Sequence, residues 1–157
     1  MPSTGKRNAK FKQFLLIFAC VSNEQLKPRN TFRKAEHLCS RKLITTVFEK
    51  GRVFYYSPFK AIWLDTKFPT SVPVQLLPAV PKRFLRKAWQ RNLMKRLIRE
   101  AYRLNKAPFY AVLQEKQKQC ALAIVFTGKK IISSEETEAA IILILRRLTD
   151  EYEKIIG

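Results

Sequence analysis

A chain of 157 residues that is 46% hydrophobic and 11% aromatic can bury one ordinary core and has little room for a second. Its 31 Lys and Arg against 12 Asp and Glu give a formal charge of +19, a field that attracts polyanions. Nucleic acid is the first expectation, because a membrane-surface binder would set long apolar segments beside its cations. The single histidine, His37, excludes a histidine-rich metal site and is expected to be structural; Cys20, Cys39 and Cys120 lack the paired spacing of a zinc site or a disulfide framework and read as reduced, buried thiols.

At the amino terminus, Lys6, Arg7, Lys10 and Lys12 precede an apolar run from Phe14 to Val21 that imitates the front of a signal peptide, and Ile17 to Cys20 resembles a lipoprotein box. The run is short and Phe18 is bulky for that motif, so residues 1–30 are expected to be a mobile extension, with a linker around Pro28 and a folded domain from 31 to 157. No stretch is long enough to span a bilayer, which takes about 18 to 20 apolar residues. From Ser40 to Lys50 a hydroxyl cap precedes Leu43, Ile44, Val47 and Phe48 at helical spacing, and Gly51 stands at the stop. Residues 52–66 and 71–80 have the Val, Ile, Phe, Tyr and Trp content of strands. Pro73 and Pro78 make the second an edge, bulged or shortened strand, since proline cannot donate to a ladder.

Residues 84–106 contain no Gly or Pro and read as one long helix, with Pro108 beyond its end. Residues 107–119 have no clear pattern. The run from Cys120 to Thr127 is apolar, of strand length and closed by Gly128, as suits a buried central strand. Ser133 and Glu136 form a capping box ahead of a final helix to about Lys154, with Ile141, Ile142, Leu145 and Leu148 along it.

The long helix holds the main functional signal. At about 100° per residue, Arg91, Asn92, Lys95, Arg96, Arg99 and Arg103 gather on one side, and Leu93, Met94, Leu97, Ile98, Ala101 and Leu104 on the other. Between Lys82 and Lys106 ten cations meet one acid, Glu100, so this window supplies +9 of the formal +19. Like charges at i and i+4 cost a few tenths of a kcal/mol per pair on an isolated helix, so a polyanion opposite them explains the row better than solvation does. Arginines fork onto phosphates, whereas Lys95 acts as a point charge. A general structured-RNA binding module remains open on composition; a standalone nuclease is disfavoured, because one histidine and scattered acids offer neither a general base nor a metal cluster near the helix.

Val80-Pro81-Lys82-Arg83 followed by Arg91-Asn92-Leu93-Met94-Lys95-Arg96-Leu97-Ile98-Arg99-Glu100 resembles the signature of the bacterial ribonuclease P protein component, with its Arg-Asn-x-x-Lys-Arg-x-x-Arg core intact. The likeness extends over roughly residues 31–150, through the helix end Val47-Phe48-Glu49-Lys50-Gly51 and the order of the later elements. It implies an α+β sandwich: a small mixed sheet of about four strands packed by helices, a ribosomal-protein-like fold with a left-handed βαβ crossover. It also implies an accessory subunit of a cytoplasmic ribonucleoprotein endonuclease, in which a catalytic RNA removes the 5′ leader of precursor tRNA with Mg2+ held mainly by that RNA. Neither a membrane nor a protein partner is required.

The resemblance further implies that Lys82, Arg83, Arg86, Lys87, Arg91, Asn92, Lys95, Arg96, Arg99 and Arg103 meet the RNA subunit, with no catalytic or metal-binding residue in the protein. A cleft between the first helix and the sheet would receive the leader, bordered by Phe48, Phe59, Ile62 and Lys82. An aromatic groove with nearby cations suits a single strand on general grounds, although Phe48 serves equally well as plain core. The chain departs from the family at Ile44 and Ile62, where cleft aromatics usually stand, and residues 107–119 look like an insertion or a helix extension.

Overall fold

The computed structural model describes residues 30–155, so the expectations for the amino-terminal extension, Cys20 included, lie outside the described residues. A 3-10 turn, Lys34–Glu36, leads into α1 (Arg41–Lys50), the strands β1 (Arg52–Tyr56), β2 (Phe59–Asp65) and β3 (Val74–Ala79), then α2 (Ala88–Asn105), α3 (Ala107–Glu115), β4 (Cys120–Phe126) and α4 (Ser134–Lys154). The sheet runs β1-β2-β4-β3, with β1 and β2 antiparallel, β2 and β4 antiparallel, and β3 parallel to β4. This is a four-stranded mixed sheet in an α+β fold, and α2 and α3 lie in the connection between its two parallel strands.

Period-two alternation divides the sheet into two faces. Phe59, Ala61 and Trp63 of β2, Val74 and Leu76 of β3, and Cys120, Leu122, Ile124 and Phe126 of β4 join one core with Met94, Ile98, Ala101 and Tyr102 of α2, Phe109 and Leu113 of α3, and the apolar stripe of α4. Ile62, Ala121, Ala123 and Val125 face the other way and form a smaller core with Leu38 and Val47, against which Leu43 and Ile44 of α1 pack. Every residue of β4 is buried, as expected for a strand with neighbours on both edges and layers on both faces.

Several boundaries have simple local causes. Gly51 ends α1 because a Cβ there would stand 2.2 Å from the Val47 carbonyl oxygen and 2.7 Å from Ile62 Cγ2; close approach, rather than a left-handed backbone, requires the glycine. Ser40 holds the N-cap position of α1, yet its hydroxyl makes no capping bond, contrary to expectation. Ser133 and Glu136 do form their box, each bonding the other's backbone N–H at 3.1 Å. The expected strand over 52–66 is a hairpin that turns at Ser57-Pro58, and Thr127 anchors the turn by donating from its backbone N (2.8 Å) and Oγ1 (2.9 Å) to the Pro58 carbonyl. Pro78 sits in β3, which pairs with β4 along one side only, so its missing N–H interrupts no second ladder. Part of the free side of β3 is covered where Leu38 N donates to Leu76 O at 3.1 Å.

The long helix is shorter at its start than the pattern predicts. Phe84 N and Leu85 N both donate to Pro81 O, and Leu85 drops into the core, so residues 82–87 turn before α2 begins at Ala88. At the other end Pro108 occupies the first turn of α3, where its missing N–H costs no helix bond. Residues 107–119 therefore hold a second helix. Gln117, at φ 52°, then reverses the chain into β4.

A buried ion pair ties distant segments together. Lys106, between α2 and α3, pairs with Glu36 of the 3-10 turn and also donates to Thr31 O at 2.5 Å. Tyr110 OH and Arg33 N donate to the same carboxylate at 2.7 and 2.6 Å. Burial alone would raise the Glu36 pKa, but the bonds from Lys106, Tyr110 and Arg33 outweigh it and hold the carboxyl below its ordinary value. Burial pushes the Cys120 thiol up to about 12, as expected of a sheltered cysteine, whereas Cys39 is exposed, which corrects the expectation that it is buried.

Candidate nucleic-acid interface

α2 presents its cations as the helical pattern requires, with two corrections on its apolar side. Met94, Ile98 and Ala101 are buried and Leu93 and Leu97 half-buried, but Leu104 is 42% exposed, while Tyr102, absent from the expected stripe, is fully buried. Leu104 stands about 120° around the helix from Ile98, and Tyr102 only about 40°. The Tyr102 hydroxyl finds a partner in Tyr110 OH at 3.2 Å, which makes its burial affordable.

On the outward side Asn92 and Arg96 are exposed, and Arg91, Lys95 and Arg99 are half-buried. Among the described residues no carboxylate lies within 4.0 Å of Arg91, Lys95, Arg96 or Arg99. Glu100, the lone acid of the window, is held by Arg103 in an i, i+3 pair, and that hydrogen bond keeps its carboxyl below the usual range. Arg103 is thus partly satisfied within the protein. Lys106 is spent on Glu36, so the open positive charge of the helix is concentrated toward its first three turns.

Arg91 has a further role. Its Nη1 donates to the carbonyls of Leu85 (3.0 Å) and Arg86 (2.6 Å), which pins the preceding turn to the helix. That turn carries Lys82, Arg83, Arg86 and Lys87, all exposed, with the Arg83 guanidinium 4.6 Å from the Phe84 ring centre. One arginine therefore holds four cations beside the helical row. At the inner border of the row, Arg99 Nε is buried without a hydrogen-bond partner. His37 is nearby, its ring edge-on to Phe32 at 4.3 Å; burial first, and the Arg99 cation second, keep its pKa below the ordinary histidine value.

The residues expected to border a leader cleft do not all come together. Phe48 of α1 is 45% exposed and Lys82 is exposed. Ile62 lies on the sheet face under α1 but is buried in the smaller core. Phe59 is fully buried on the opposite face, edge-on to Phe126 at 5.5 Å, so its assignment to the cleft is corrected: an odd spacing along one strand puts Phe59 and Ile62 on different sides. The register β1 to β2 pairs Val53 with Ile62 and Tyr55 with Lys60, which places Val53 and Tyr55 on the α1 side. Tyr55 is 72% exposed, and Lys60 Nζ lies 5.5 Å from its ring centre. The run Val53 to Tyr56 has no polar alternation to single out Tyr55, and the register with β2 is what assigns it to this side.

Among the described residues no group of three or more His, Cys, Asp or Glu could hold a metal ion, and no helix is long and apolar enough to cross a membrane. A small α+β domain with a cationic row on one helix that makes no salt bridge, and a cation-bearing turn locked beside it, has the electrostatic footprint of a nucleic-acid-binding protein. The Ribonuclease P family model matches residues 32–149. A ribonuclease P protein component from Porphyromonas gingivalis is 36% identical over 108 residues, covering 68% of this chain and 78% of that protein; one from Chlorobium phaeobacteroides is 31% identical over 107 residues, covering 63% and 73%. The structure of the Staphylococcus aureus RNase P protein superposes with a TM-score of 0.59 at 16% identity, covering 73% of this chain and 95% of that one. The Thermotoga maritima RNase P protein gives 0.56 at 21% identity, covering 71% and 96%. The chain belongs to the ribonuclease P protein family.

Proposed function

We propose that this chain is the accessory subunit of a ribonuclease P ribonucleoprotein that removes the 5′ leader from precursor tRNA in the cytoplasm. The observation that supports this most directly is the row Asn92, Lys95, Arg96 and Arg99, together with the turn cations held by Arg91, which makes no salt bridge to any carboxylate among the described residues. The catalytic RNA is the partner of that row. Arginine forks and the Lys95 point charge bind its phosphates and release their counterions.

The leader lies on the other side of the sheet, along the surface bounded by Phe48 of α1 and by Tyr55 and Val53 of β1, with Lys60 supplying charge, whereas Lys82 stands with the turn cations beside α2. Exposed rings stack on bases without regard to sequence while cations follow the backbone, as suits leaders of differing sequence. Mg2+, held mainly by the RNA subunit, supplies the Lewis acidity and the activated water for hydrolysis of one phosphodiester bond. The protein screens repulsion between the two RNAs and positions the substrate.

Cleavage of precursor tRNA by a bacterial ribonuclease P RNA at low Mg2+, with and without this chain, tests the reading. Stimulation by the protein is expected; rates equal to those of the RNA alone would overturn it.

A further inference from the structure

Of the two tryptophans, Trp63 is buried beside Tyr152 at 5.0 Å, but Trp89, in the first turn of α2, is 58% exposed. A single exposed apolar side chain needs no explanation by itself. The setting of Trp89 is different. Seven residues on, Arg96 stands within about 20° of the same direction on the helix, and Asn92 is one turn away within about 60°. Both are exposed, as are Arg86 and Lys87 just ahead of Trp89. Five cation–ring pairs occur among the described residues and none uses Trp89, nor does any ring–ring pair. No other ring or cation of the described residues stacks on the indole, which stands exposed among unpaired cations.

We infer that Trp89 is a base-stacking residue of the RNA interface, laying its indole against an unpaired base of the catalytic RNA while Arg96 and the turn cations hold the adjoining phosphates. The inference rests on the reading of α2 as the face for the RNA subunit. Charge selects this occupant over a protein: a partner protein would have to bring carboxylates for Arg86, Lys87 and Arg96 as well as a pocket for the ring, whereas one RNA strand carries the π-face and the anions together. It also assigns the surface two separable contributions. Cations bind through counterion release and depend on salt; stacking does not.

The test uses the full chain and a bacterial ribonuclease P RNA transcript, with direct binding measured over a range of salt. Stacking on an aromatic residue contributes about 1–3 kcal/mol per base, or roughly 5- to 150-fold in affinity at about 1.4 kcal/mol per decade. Trp89→Ala and Trp89→Leu are both expected to weaken binding within that range without altering the slope of log affinity against log salt, and Trp89→Phe, which keeps a ring, to lose less. Tryptophan emission gives a second readout, since Trp89 is open to acrylamide in the free protein and Trp63 is not. Saturating RNA should shield Trp89, and Trp89→Phe should abolish that change. Wild-type affinity in Trp89→Ala and Trp89→Leu, or undiminished acrylamide quenching in the RNA-bound wild type, would overturn the inference while leaving the proposed function intact. Shielding of Trp89 in the free protein that disappears on dilution would mark a protein contact, and shielding by precursor tRNA alone would mark the wrong RNA; either also overturns it. No binding of the transcript by wild type would remove both readings.

Discussion

Replacing Arg91 is expected to damage both the fold and the RNA interface, whereas Arg96→Ala should damage only the interface. Arg91 Nη1 bonds two carbonyls of the preceding turn, at 3.0 and 2.6 Å, while Arg96 is exposed with no carboxylate within 4.0 Å among the described residues. Hydrogen bonds that involve a charged group contribute about 1.5–3 kcal/mol, so Arg91→Ala should lower the unfolding free energy by about that much. An exposed substitution such as Arg96→Ala should stay within about 0.5 kcal/mol of wild type. For RNA, each lost phosphate contact should flatten the slope of log affinity against log salt by about 0.9 on a duplex. Arg96→Ala removes one such contact. Arg91→Ala also releases the turn that positions Lys82, Arg83, Arg86 and Lys87, so its slope should fall by more than one contact's worth. Urea unfolding, together with filter binding over about 50–200 mM salt, measures both quantities. An Arg91→Ala protein that unfolds at the wild-type midpoint and loses the same slope as Arg96→Ala would refute the turn-locking role.

The buried pair gives a stability prediction: removing Lys106 alone as Lys106→Met should cost about 3–5 kcal/mol, while adding Glu36→Gln should recover part of the loss, as a double-mutant cycle in urea would show. Because the Glu36 pKa is depressed in the folded state, its contribution is complete above the unfolded carboxylate value near about 4.3 and is lost as pH falls through the folded value. Unfolding midpoints taken between neutral and acid pH should therefore drop less steeply in Glu36→Gln than in wild type. Thiol titration of the native protein should modify Cys39 promptly and leave Cys120 unmodified until denaturant is added; equal rates for the two would contradict their placement. Tyr55→Ala and Phe48→Ala should lower affinity for precursor tRNA more than for mature tRNA and leave stability nearly unchanged, whereas Phe59→Ala should cost about 3–5 kcal/mol of stability through loss of core. Equal losses on the two tRNAs for Tyr55→Ala would remove it from the leader surface.

What the chain makes legible follows the range of the interactions involved. The register of α2 is local: a 3.6-residue repeat of Met94, Ile98 and Ala101 against Asn92, Lys95, Arg96 and Arg99 is present in any window of two turns. The Ser133–Glu136 box and the all-apolar run of β4 are local too, and both appear where expected. The start of α2 is not, because Phe84 to Lys87 suit a helix by composition, and the burial of Leu85, the bonds to Pro81 O and the bonds from Arg91 draw them into a turn. The Glu36–Lys106 pair spans 70 residues, and nothing near either residue announces the other.

Phe59 and Ile62 do not share a surface, and the pleat of the strand is the reason. A family likeness gives residue types at positions along a strand, but the pleat decides the face, and the two faces of this sheet serve different ends: one is sealed by α2, α3 and α4 and the other is only partly covered by α1. Parity along β2 separates Phe59 from Ile62 in the sequence itself; the pairing of Tyr55 with Lys60 then decides which parity of β1 is on the open side. Once that is fixed, the exposed rings on the α1 side are those of Tyr55 and Phe48, while Ile62 of β2 is buried. On the proposed reading, a single strand stacking on this side of the sheet meets the rings of Tyr55 and Phe48 and not the buried Ile62, because register and exposure together, and neither one alone, decide which side chains it can reach.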